Sequence, residues 1–157
     1  MLGGILGAQV ISNFEGGIEA VPALAFFIPL ITAMGGNVGV QSSAIVVQSI
    51  AKGQDQMGTI AKRIGKETLV ALLNGALLSL LIYGIAFVFG SALLGLVVSL
   101  SLFTVVLFAA VFGTLIPLIL DRYNIDPALA TGPFVTTLND VLGLFIYFSI
   151  GMLLYNI

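Results

Sequence analysis

Three long stretches of this chain hold one charged side chain between them. Residues 20–51 carry none, residues 68–120 carry none, and from residue 128 onward Asp140 stands alone. A helix needs roughly 20 mostly apolar residues to cross a hydrocarbon core about 30 Å thick, so the middle stretch is long enough for two crossings. Gly90-Ser91, with Gly95 close behind, supplies the turn between them. The pattern therefore predicts spans at 22–50, 68–89, 95–120 and 128–155. Residues 1–13 are apolar but too short to cross. Their glycines (Gly3, Gly4, Gly7) suit close helix packing, and the segment reads as the end of a truncated span. The expected fold is an all-α integral membrane protein, a bundle of about five transmembrane helices with the first one truncated.

Composition narrows the chemistry. Hydrophobic residues make up 59% of the chain and charged residues 8%, whereas a soluble domain carries about a quarter charged residues. There is no cysteine and no histidine, which removes disulfides, thiolate and imidazole metal sites and the commonest general base. These absences argue against an enzyme. The net charge of −2 is too small to suggest a nucleic-acid partner.

The few charges are placed unevenly. Lys52, Lys62, Arg63 and Lys66 fall in the polar stretch 52–67, and Arg122 falls in 121–126. By the positive-inside tendency both loops are cytoplasmic, in a cell (plasma or inner) membrane. Glu15, Glu19 and the turn near Gly90 then lie on the opposite side.

Polar residues inside the spans mark two regions. In the first, Thr32, Gly35-Gly36-Asn37, Gly39, Gln41, Ser42 and Ser43 crowd one span. Adjacent glycines each cost up to about 1 kcal/mol in a helix, so a weakened helix is expected there. Asn37 and Gln41, four apart, share a face and can point into one channel, although small residues and amides also serve plain helix packing. In the second region, Asp126-Pro127 looks like an N-cap with proline at the first helical position. Gly132-Pro133 follows, where the missing N–H should leave carbonyls at 128–132 without partners.

Asp140 shares a face with Thr136 and lies within reach of Thr137. A carboxylate in hydrocarbon costs roughly 2.5 to 3.5 kcal/mol or more, so it marks a functional site with a partner. Hydroxyls, carbonyls and one carboxylate form the hard-oxygen lining that magnesium or calcium prefers. The plainer reading has Asp140 held by Asn139, Gln41 or Asn74, or protonated. The remaining pore-lining candidates are Asn37, Gln41, Gly132, Asn139 and Asn74. A faint internal similarity relates 29–34 to 133–138 and sets Gly35-Gly36-Asn37 against Asn139-Asp140-Val141. Broken helices at matching positions of inverted repeats point to a midplane transport site.

The run P-L-I-T-A-M-G-G-N-V-G-V-Q from Pro29 to Gln41, with Asp126-Pro127-Ala128-Leu129 and Thr136-Thr137-Leu138-Asn139-Asp140-Val141, resembles the membrane domain of the MgtE family of magnesium transporters and channels. The resemblance covers nearly the whole chain. It implies a homodimer of five-helix subunits with a pore on the two-fold axis. It further implies that Asp140 faces the pore and holds hydrated Mg2+, the transported ion, helped by the backbone carbonyl of Thr136. Gly132 departs from the family's frequent asparagine. The cytoplasmic N-terminal and CBS sensor domains of the family have no counterpart in 1–157, which reads as a transmembrane ion-conducting domain cut from a longer protein.

The expected function is movement of Mg2+, and of other divalent cations as possible company, through a dimer pore in lipid. A proton- or sodium-coupled secondary transporter and a structural membrane subunit are the alternatives. An intramembrane aspartyl protease would need two membrane carboxylates, and each chain offers one.

Overall fold

The computed structural model describes residues 1–52 and 57–157, and all regular structure among them is helical. Helix α1 (Leu2–Asn13) and the short α2 (Glu15–Ala20) lead into a 3-10 segment, Pro22–Phe27, and then α3 (Ile28–Ala51). Helices α4 (Met57–Phe89) and α5 (Ala92–Arg122) follow, then a second 3-10 segment, Pro127–Ala130, and α6 (Pro133–Tyr155). Among the described residues, four stretches are long and apolar enough to cross a membrane: Pro22–Ala51, Ile64–Val88, Ala92–Arg122 and Pro127–Tyr155. They match the four expected spans. Hydrocarbon offers the backbone no hydrogen-bond partner, so each crossing must satisfy its own N–H and C=O groups as helix.

Helix α5 is the centre of the bundle. Its Val97, Val98, Val105, Val106 and Ala109 are fully buried, with α3, α4 and α6 packed around it. Helix α4 leans mainly on α5 and exposes Leu69, Leu73, Leu77, Leu80 and Leu81, the surface expected of a helix that faces lipid. The α4–α5 turn forms where Gly90-Ser91 predicted it. Ser91 is the N-cap of α5, its hydroxyl accepting from the Leu94 N–H at 3.2 Å. Helix α1 runs alongside α6, with Gly3 against Thr137 and Gly7 against Leu144.

Three expectations are corrected. The first concerns the polar stretch 52–67, of which residues 53–56 lie outside the described residues. From Met57 onward it is helix and not loop. Lysine, arginine and glutamate are good helix formers; their charge keeps them out of hydrocarbon without breaking the helix. Second, α3 passes unbroken through Gly35-Gly36-Asn37. The propensity cost of two glycines is smaller than that of freeing backbone groups inside a membrane, and close packing uses the space they leave. Third, the first span is not helical in one style throughout: Pro22–Phe27 is 3-10.

Helices α3 and α6 pack antiparallel. Ile31 meets Gly143, Gly35 meets the Asn139 backbone, Gly39 meets Val135, and Ser43 reaches Ala130. The faint sequence similarity has a geometric counterpart. Each helix follows a 3-10 segment that opens with proline and carries another proline in its own first turn. The sequence shift that places Pro29 on Pro133 pairs Thr32 with Thr136, and both hydroxyls donate to the carbonyl four residues back at 3.1 Å. The same shift pairs Ser43 with Tyr147. Ser43 Oγ donates to the Ala130 carbonyl and Tyr147 OH to the Leu24 carbonyl, each at 2.8 Å. Each long helix thus satisfies a buried carbonyl in the 3-10 segment that precedes the other.

Candidate cation site

Local chemistry at the start of the last span breaks it into two pieces. The Asp126 carboxylate accepts from the Ala128 N–H at 2.9 Å and caps the 3-10 segment. Thr131 is extended, and Gly132 sits at φ 69°, a conformation that favours glycine. Pro133 then opens α6. The expected unpartnered carbonyls are corrected at three positions. Ala128 O accepts from Thr131 Oγ1 at 2.7 Å, Ala130 O from Ser43, and Gly132 O from both the N–H and the hydroxyl of Thr136 at 3.1 Å. Serine and threonine hydroxyls do much of the work that regular helix N–H groups would do.

This break shapes one side of an open groove of about 660 Å³. Asn37, Val40 and Gln41 of α3 form one wall, and Gly132, Pro133, Thr136 and Thr137 form the other. Asn37 and Gln41 are exposed on α3, one turn apart, as their spacing predicted. Asp140 lies one turn beyond Thr136, half-buried, with its carboxylate against Gly36. Gly36 and Asp140 both fall near the middle of their spans. Among the described residues the Asp140 carboxylate makes no hydrogen bond or ion pair, so neither Asn139, Gln41 nor Asn74 holds it. Nor do three carboxylate, imidazole or thiolate side chains converge anywhere among the described residues. Within one chain this is an open wall of hard oxygen and amide groups beside a single carboxylate.

Thr136, Gln41, Asn37 and Gly132 are therefore brought together in one groove, while Asp140, one turn beyond Thr136, lies against Gly36. Two candidates stand apart. Asn139 is 1% exposed and packs onto Gly39 in the interior, where neither side-chain atom finds a partner among the described residues. Asn74 is exposed on α4, whose packing is against α5. Sequence reasoning missed the individual roles of Gly36, which makes room for the carboxylate, and of Ser43 and Tyr147, which tie down the 3-10 segments. The internal similarity was the available signal, because it sets Gly36 opposite Asp140.

The sequence model of MgtE, described as a divalent cation transporter, matches residues 28–150. The magnesium transporter MgtE of Bacillus subtilis (strain 168) is 43% identical over 149 residues, 94% of this chain and 33% of that protein. Its namesake in Thermus thermophilus is 39% identical over 154 residues, covering 98% of this chain and 34% of that protein. The Enterococcus faecalis protein of the same name is 37% identical over 149 residues. The chain spans about a third of the length of these curated relatives. With four apolar spans and a match over most of its length, the chain belongs to the MgtE family, whose members are transporters and not enzymes.

Proposed function

We propose that the chain forms the membrane path of a Mg2+ transporter, in which two copies meet groove to groove and hydrated Mg2+ passes between their Asp140 carboxylates. The observation that carries this reading is the midplane carboxylate, unpaired among the described residues and one helical turn beyond Thr136 of a groove lined by amides and hydroxyls. Burying an unpaired carboxylate is costly, and a divalent cation between two of them offsets that cost. The B. subtilis, T. thermophilus and E. faecalis relatives, each named as a magnesium transporter, supply the ion.

Magnesium sheds water reluctantly and keeps several waters when few protein oxygens are offered. The wall suits outer-sphere contact. Thr136 spends its hydroxyl proton on Gly132 O, which leaves its oxygen free to accept from an ion's water. The Asn37 and Gln41 amides can accept or donate to the same shell. Gly132 adds no side chain, and the space a Cβ would take there is open. In a cell membrane with the Lys52–Lys66 and Arg122 end inside, the potential contributes about 4.6 kcal/mol to entry of a double charge per 100 mV. That is enough to drive uptake without a second energy source.

The test is Mg2+ entry into liposomes holding the purified chain. Asp140→Asn, which keeps side-chain volume and removes charge, is expected to reduce the flux at least about a hundredfold, as losing about 2.7 kcal/mol would. Wild-type flux through folded Asp140→Asn protein would overturn the proposal.

A further inference from the structure

The α3 residue that meets the carboxylate is Gly36, which has no side chain. A Cβ built on Gly36 would lie 2.9 Å from Asp140 Oδ1 and 3.1 Å from Thr136 Cγ2. The carboxylate therefore lies against helix backbone where any other residue would put a side chain. The local two-fold relation of α3 and α6 makes the same point, because the position in α3 equivalent to Asp140 is Gly36.

We propose that Gly36 is a positioning residue that sets ion preference: by letting the Asp140 carboxylate lie back against α3, it keeps the charge at a distance suited to a hydrated ion and unsuited to direct coordination. The inference rests on the reading of Asp140 given above. Magnesium tolerates that distance because it retains its waters, whereas calcium exchanges water for six to eight oxygens in flexible geometry and gains from a carboxylate that reaches it. A methyl group at position 36 pushes the carboxylate outward. The nearer obstructing atom is the end of the Asp140 side chain, which can turn aside, while the Thr136 methyl group at 3.1 Å has to give slightly.

The other glycines of the crossing behave differently. A Cβ on Gly35 would meet Val105 Cγ1 at 3.0 Å and stay clear of the carboxylate. Gly35→Ala is thus the control for adding a methyl group to the same stretch of helix.

The experiment measures protection of the purified chain against thermal unfolding, titrated separately with Mg2+ and with Ca2+. It compares wild type, Gly36→Ala, Gly35→Ala and Asp140→Asn. Gly36→Ala is expected to shift the ratio of half-protecting concentrations toward Ca2+ by about tenfold, equivalent to about 1.4 kcal/mol, while Gly35→Ala leaves it unchanged. An unchanged ratio in Gly36→Ala, or an equal shift in Gly35→Ala, overturns the role of Gly36. The Asp140 reading then still stands if Asp140→Asn loses protection. Full protection of Asp140→Asn by both ions overturns the two together. Should Gly36→Ala not fold, the double variant Gly36→Ala/Thr136→Ser removes the crowded Thr136 methyl group. It is judged by the same ratio against Thr136→Ser alone.

Discussion

At Gly113 the chain has no room for a single added carbon. A Cβ there would run into the Gly39 carbonyl oxygen, so α3 and α5 touch backbone to backbone. Neither partner is a flexible side-chain end, and relief requires separating two helices that also pack on α6. Gly113→Ala is expected to destabilise the chain by about 1–3 kcal/mol, the range for overpacking, and to lower the thermal midpoint even without divalent ions. An unchanged midpoint would contradict the close approach. Gly36→Ala, whose added carbon meets side-chain atoms and not backbone, should lower that ion-free midpoint by less. The difference is not visible in the sequence, where both are glycines in an apolar run. Asp140 was legible because a charge in hydrocarbon is conspicuous whatever surrounds it. Asn139, its neighbour, was legible as polar but not as interior, since one helical position turns a side chain by about 100°.

The helices follow from the apolar pattern because in a membrane helix is the one local answer for an isolated span. What the pattern could not show is where regular α geometry gives way. Two glycines in α3 suggested a break and none occurs, while Pro22–Phe27 carries only a proline as its signal and is 3-10. The deciding factor is tertiary: a departure from α geometry survives where another helix brings a hydroxyl to the carbonyl it frees. Tyr147 does this for Leu24, and Ser43 does it for Ala130. Tyr147→Phe and Ser43→Ala should each cost about 1–3 kcal/mol by leaving a buried acceptor unsatisfied. Amide exchange should quicken at 22–27 in the first variant and at 127–132 in the second. Exchange raised at neither segment would show that the bonds do not hold them.

Across the whole molecule the basic residues gather at one end. Lys52 closes α3, Lys62 and Lys66 lie early in α4, and Arg122 closes α5, all at the end where α6 begins. Glu15 and Glu19 lie at the other end, where Gly17 packs on Met152 late in α6. The chain has no cysteine, so single substitutions report its orientation directly. Lys66→Cys should be protected from an impermeant thiol reagent added outside intact cells, and Glu19→Cys should be labelled. The reverse pattern would invert the proposed direction of uptake. The reciprocal hydroxyl bonds have a mechanical consequence at this scale. A slip of one helical turn, about 5.4 Å, between α3 and α6 would strand an acceptor at both membrane faces at once. Sliding is therefore the motion this fold resists.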